Sequence, residues 1–171
     1  MPRSLKAILL FLGMTLSLWA QDTTVILLRH AERLSMLDED SSLSQTGQAR
    51  SQGLVPLLSE FHPTWLYASN QQRTQQTLAP TAAKLGLVPL LRPKADSAAL
   101  AAEILRGHRG QTVLVCWHHD LMKPLAKALG WKGPVPHWSL FTYDRLWILR
   151  INPKGEVSLE ERIQEFESGK R

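Results

Sequence analysis

An α/β fold, a three-layer sandwich with a mostly parallel central sheet, is what the sequence predicts, and three observations predict it. Short apolar runs rich in β-branched residues, at 24–28 and 112–117, have the unbroken hydrophobicity of strands buried on both faces. Segments of helical spacing alternate with such runs, as crossover connections require. Cationic or imidazole residues follow each run at once, and ligands of open α/β sheets bind at the carboxyl ends of the strands.

The elements follow in order. Thr24-Val25-Ile26-Leu27-Leu28 is the first strand. The polar, acidic stretch from Leu34 to Ser42 is a loop. A helix spans Ser44 to Phe61, with Leu54, Leu57, Leu58 and Phe61 on one face and Pro56 a potential bend inside it. Trp65-Leu66-Tyr67-Ala68 is the second strand. A helix from Arg73 to Leu85 has Leu78, Ala82 and Leu85 along one side and stops at Gly86. Leu87 to Leu91 forms a short edge strand, and Ser97 to Leu105 an alanine-rich helix. Thr112 to Trp117 is a strand, and Leu121 to Leu129 a helix ended by Gly130. Leu146 to Ile151 and Glu156 to Leu159 make a hairpin around Asn152-Pro153-Lys154-Gly155. Charged residues beyond Glu160 leave 161–171 as a tail, so one domain occupies 21–160.

The 171 residues suit one domain. Met1 to Ala20 has the form of an export signal: Arg3 and Lys6 precede an apolar run, Ala7 to Leu18, and Ala20 supplies a small residue for cleavage. The run is short for a membrane span, which takes ~20 residues. The expected product is periplasmic or secreted, begins near Gln21, and has no stable membrane insertion. Its 18 Lys and Arg against 15 Asp and Glu give +3, down from +5 in the full chain. Scattered charge of that size argues against nucleic acid as a partner. Cys116 stands alone, which excludes an internal disulfide and a cysteine-based zinc site.

Chemistry converges at three strand ends. Arg29 and His30 follow the first strand, Arg73 follows the second, and His118 and His119 follow the strand at 112–117. Arginine's planar donor fork matches phosphate oxygens in pairs. Neutral imidazole is a competent nucleophile toward phosphorus, and phosphoryl transfer depends on positioning and charge neutralisation. The set suits a small phosphorylated substrate, and no cofactor is expected; a metal-dependent hydrolase with zinc on His30, His118 and His119 is a further reading, which no paired His-x-x-x-His or carboxylate ligand spacing supports.

Leu28-Arg29-His30-Ala31-Glu32-Arg33 resembles the Arg-His signature of the histidine phosphatase, or phosphoglycerate mutase-like, superfamily. Leu43 to Arg50 is similar to its Leu-Thr/Ser-x-x-Gly-x-x-Arg segment, Tyr67 to Thr77 to its second arginine motif, and Val113 to Asp120 to the strand carrying its second histidine. The resemblance implies the phosphoglycerate mutase-like fold. It also implies a metal-independent phosphatase in which His30 becomes phosphohistidine while Arg29, Arg73 and a second histidine hold the phosphoryl oxygens. A catalytically weak phosphate- or polyanion-binding relative is the alternative.

Either His118 or His119 can be that second histidine. Strand length selects His118. Trp117-x-His119, Leu129-Gly130, Trp138 and Tyr143-Asp144-Arg145-Leu146-Trp147 resemble a branch with a Trp-x-His motif, which favours His119 and leaves His118 an auxiliary role. No carboxylate has the placement of a general acid. Between Leu87 and Leu105 only Asp96 and Glu103 are offered, both poorly placed, while Glu32 and Asp120 adjoin the motif residues and stay open as candidates. Gln48, Arg50, His62, His108 and His137 read as surface or loop residues, Trp65, Trp117, Trp138 and Trp147 as core, and Cys116 as an inert strand residue.

Overall fold

The computed structural model describes residues 21–164. The expected leader and residues 165–171 of the expected tail lie outside them. Strand β1 (Thr23–Arg29) leads to helix α1 (Gln45–Ser59), β2 (Trp65–Ser69), α2 (Gln72–Leu85) and the three-residue β3 (Leu90–Arg92). Helix α3 (Ser97–Gly107), β4 (Thr112–Trp117), α4 (His119–Ala128), β5 (Arg145–Ile151) and β6 (Val157–Ile163) complete the order. One sheet holds all six strands in the order β3-β2-β4-β1-β5-β6. The first four are mutually parallel, and β5 and β6 add an antiparallel hairpin.

Alternation along the strands divides the core in two. Val25 and Leu27 face one layer with Val113, Val115 and Trp117, against Leu100, Ile104, Met122 and Leu125 of α3 and α4. Ile26 and Leu28 face the other with Leu114 and Cys116, against Leu54 and Leu58 of α1 and Leu78 and Ala82 of α2. Helices on both faces explain why β1 and β4 lack the apolar/polar alternation of one-sided strands. No helix among the described residues is long and apolar enough to cross a membrane.

Local signals set the boundaries. Ser44 caps α1, its hydroxyl accepting from the Gly47 amide at 3.1 Å. Gly86 ends α2 in the left-handed region at φ 66°. The β5–β6 turn closes through Gly155, whose amide donates to the Asn152 carbonyl at 2.8 Å. Two expectations move. The edge strand sits at Leu90–Arg92 rather than 87–91, and β6 runs on to Ile163, into the segment expected as tail. Charges in this strand make diagonal ion pairs across the hairpin instead: Arg145 with Glu161 at 2.7 Å and Arg150 with Glu160 at 3.0 Å.

Candidate functional site

The strand register brings the imidazoles together. In the parallel β1–β4 pair, Arg29 lies opposite Trp117. The ladder continues as the His30 amide donates to the Trp117 carbonyl at 3.0 Å, so His30 and His118 are neighbours on adjacent strand ends. Their ring centroids are 5.4 Å apart. His118 still has extended backbone, while His119 is already the first residue of α4. The ring beside His30 is thus that of His118, and His119 sits one residue further on, at the start of the helix. His119 is partly exposed, with Nδ1 3.9 Å from Asp120, and has no hydrogen bond to His30, Arg29 or Arg73 among the described residues.

His30 is 3% exposed, and its Nδ1 lies 2.8 Å from the Ala31 carbonyl. A carbonyl only accepts, so Nδ1 carries the proton and Nε2 keeps its lone pair. Burial, with Arg29, Arg73 and His118 nearby, pushes the pKa down to about 2 against the pull of the Ala31 bond. Burial and then Arg73 push His118 to about 3. His118 Nδ1 faces Arg73 Nη2 at 3.4 Å, and its Nε2 is 2.8 Å from the Ser69 hydroxyl. Because arginine only donates, Nδ1 holds the lone pair and Nε2–H donates to Ser69. Burial also lowers His119, followed by Arg29. Both inner rings are neutral at ordinary pH.

The arginines flank them, 2% and 4% exposed. Arg29 Nη1 donates to the carbonyls of Ser139, Leu140 and Thr142 at 3.2, 2.7 and 2.9 Å. The Arg29 guanidinium lies 3.9 Å from the centre of the Tyr143 ring, which is 6.0 Å from the His30 ring. Arg73 Nη1 donates to the Glu39 carbonyl at 2.6 Å. In both arginines the Nε–H is buried without a partner among the described residues. Burial lowers the Arg29 pKa to about 10, so it stays charged. Two cations with orphaned donors beside two neutral imidazoles suit an anion with several acceptor oxygens.

Helix α2 ties the parts together. Thr77 Oγ1 accepts from the Ala31 amide at 2.9 Å and donates to the Arg73 carbonyl at 2.6 Å. Thr74 Oγ1 is 2.9 Å from the Ser69 hydroxyl that holds His118. Tyr143 is the residue that sequence reasoning missed as part of the site, although the motif containing it was visible.

The Leu43–Arg50 segment braces the far side. Glu32 receives both Arg50 Nε, at 3.0 Å to each oxygen, and Nη2 at 2.6 Å. Burial alone would raise the Glu32 pKa; the Arg50 bonds outweigh it and hold the carboxyl low. Arg50 is thus no idle surface residue, and Glu32 is a poor proton donor. Glu103 is likewise bound, by Arg92 and the Tyr67 hydroxyl. His108, expected at the surface, is buried with Nε2 2.7 Å from that hydroxyl, and Trp65, expected in the core, is 37% exposed at the strand edge. A cleft of about 740 Å³ lies at the opposite end of the strands beside Thr23, Arg106 and Lys154, and contains none of the site residues.

The sequence profile of the histidine phosphatase superfamily (branch 1) matches residues 25–96, which include Arg29, His30 and Arg73. No curated protein matches the chain in sequence. Solved structures share its fold. The protein histidine phosphatase SixA complexed with tungstate is 20% identical, with TM-score 0.65, covering 82% of this chain and 97% of its own. A mycobacterial glucosyl-3-phosphoglycerate phosphatase with inorganic phosphate is 17% identical, with TM-score 0.65, at 84% and 97% coverage. Phosphoserine phosphatase from Entamoeba histolytica with 3-phosphoglyceric acid is 14% identical, with TM-score 0.65, at 85% and 98%.

Proposed function

We propose that this chain, a member of the histidine phosphatase superfamily, is a metal-independent phosphatase that hydrolyses a phosphomonoester or similar phosphoryl donor through phosphohistidine on His30. One observation carries the reading: His30 is neutral, its Nδ1 proton is fixed on Ala31, and its free Nε2 shares a buried site with two arginines that each keep an unpartnered Nε–H. Phosphatases that bind tungstate, phosphate and 3-phosphoglyceric acid on the same fold support it.

In the first step Nε2 attacks phosphorus in line. The N–P bond forms, the bond to the leaving group breaks, and the leaving group departs with the electron pair. Arg29 and Arg73 take the charge of the phosphoryl oxygens as it redistributes. His118, held by Ser69, completes the wall of the pocket. In the second step water attacks phosphorus, the N–P bond breaks, and the electron pair returns to Nε2. The water proton leaves with inorganic phosphate. Nδ1 keeps its proton on Ala31 throughout, which requires no change of tautomer.

Glu32, which adjoins the first motif, and Glu103 are both held by arginines. The leaving group therefore departs with little protein acid assistance, which favours aryl esters, acyl phosphates and phosphoramidates over alkyl phosphates. The test is turnover of an aryl phosphate in excess chelator. Turnover that survives chelation and disappears in His30→Asn is expected, with radiolabel from a labelled donor trapped as acid-labile, base-stable phosphoprotein. Loss of activity on chelation, or phosphate binding without turnover, overturns it; the second outcome identifies the binding relative instead.

A further inference from the structure

The cleft of about 740 Å³ at the far end of the strands takes no part in the reaction above. Strand β1 joins the two places: Thr23 lines the cleft, and Arg29 belongs to the arginine pair. Six residues at ~3.3 Å each put them about 20 Å apart, so the cleft and the arginine pair are separate. Chain turns build its walls. Helix α3 stops at Gly107 and the chain passes Gly110 into β4; α4 is capped by Leu129; β5 ends at Ile151, opposite Thr23, and turns at Gly155. Backbone ties hold these turns: the Gly110 amide donates to the Thr23 hydroxyl at 3.0 Å and the Gly155 amide to the Asn152 carbonyl at 2.8 Å.

The charge of the cleft is one-sided. Arg106 and Arg109 come from the end of α3 and Lys154 from the β5–β6 turn, and all three are exposed. None of them makes an ion pair among the described residues, and no lining residue is acidic. Arg109 donates its Nε–H to the Leu105 carbonyl at 3.3 Å. Glu156, beside Gly155 in sequence, is outside the lining and accepts from Asn152 Nδ2 at 2.7 Å. The deeper wall is aliphatic: Leu129 and Ile151 are buried and Leu105 is half-buried.

We infer that this cleft is a second binding site, for a small organic anion with an apolar body. Its carboxylate, sulfonate or phosphate meets Arg106, Arg109 and Lys154, and its body lies along Leu105, Leu129 and Ile151. Hollows of ~300–1,000 Å³ with apolar walls and a few polar groups are the usual form of small-molecule sites. A metal cation would meet three positive charges and no carboxylate. A bare inorganic anion would leave the aliphatic wall uncovered.

Naphthalene-2-sulfonate is the probe, titrated by calorimetry in about 0.15 M salt, where exposed charges are screened beyond ~8 Å. The wild type is expected to bind one molecule per chain, and Arg106→Glu/Lys154→Glu to bind at least about tenfold more weakly, as loss of a charged contact gives. Both exposed substitutions should leave the urea midpoint unchanged. Methanesulfonate, which lacks the ring, should bind at least about tenfold more weakly than the probe, and 2-naphthylmethylammonium should not bind. Amide resonances locate the probe without any substitution: Gly107, Gly110 and Gly155 shift, while Ala31 and Thr77 stay fixed. Undiminished affinity in the double variant, equal binding of methanesulfonate or of the ammonium compound, no binding at millimolar probe, or shifts confined to Ala31 and Thr77 each overturn the inference. So does a concentration-dependent dimer in sedimentation that the double variant abolishes, which would make this face an interface between copies. The phosphatase reading stands or falls on aryl phosphate turnover, independently of these outcomes.

Discussion

Replacing Gly47 by alanine tests whether the signature segment and the histidine loop are packed as one unit. A Cβ built on Gly47 would lie 2.2 Å from the Glu32 carbonyl oxygen and 3.0 Å from the Glu32 nitrogen. Both contacts are backbone, so no side chain can swing aside. An ordinary contact needs about 1 Å more room, and the same carbonyl accepts from the Ser44 amide at 2.9 Å. Overpacking of this kind costs ~1–3 kcal/mol, and a lost buried hydrogen bond adds ~1. We therefore expect Gly47→Ala to lose about 3 kcal/mol in urea unfolding at pH 7. The displaced backbone is two residues from His30, so kcat for an aryl phosphate should fall as well. Gly107→Ala is the control. It ends α3 with nothing within 4 Å of its new Cβ, and should leave stability unchanged or raise it by ~0.5 kcal/mol. A Gly47→Ala variant within ~0.5 kcal/mol of the wild type would refute the packing argument.

Two further outcomes follow. His30 at about 2 and His118 at about 3 both lie below the ordinary histidine value of 6.5, so below pH 6.5 the unfolded chain binds protons that the folded chain refuses. Stability is then full above that pH and falls as the solution is acidified, by about 2 kcal/mol per ring at pH 5; urea titrations at pH 7 and 5 measure this, and an unchanged midpoint contradicts it. Export predicts a chain beginning near Gln21, so intact-mass measurement on protein recovered outside the cytoplasm should find residues 1–20 missing, and a full-length mass there argues against cleavage.

What the sequence revealed and what it hid have physical causes. Strands β1 and β4 were legible because burial on both faces leaves an unbroken apolar run. Arg29 and His30 were legible because they directly follow such a run, and Arg73 because it opens the helix after the second strand. The choice between His118 and His119 depended on the register of two strands some eighty residues apart, which no local pattern encodes. Once Arg29 lies opposite Trp117, His118 is the residue beside His30. Arg50 was misread for a similar reason: its helix spacing is that of a solvated residue, and its partner Glu32 lies eighteen positions earlier. β6 was cut short because an edge strand with cross-strand ion pairs has the composition of a charged tail.

The arginines explain why phosphate binding and loop position belong to one device. Each guanidinium divides its donors, with Nη1 given to a loop carbonyl and Nε left without a partner. A buried donor left unpaired costs ~1–3 kcal/mol, a penalty that a tetrahedral anion accepting from these Nε–H groups would remove. Lysine could supply the charge but not this division, because one ammonium cannot fix a loop on one side and present an oriented donor on another. Tyr143 extends the coupling, its ring lying against Arg29 and near His30 at the end of the loop that Arg29 holds. A loop displaced by a substrate's flanks would shift the donors that meet its phosphate, so recognition around the site and charge neutralisation within it depend on the same two side chains.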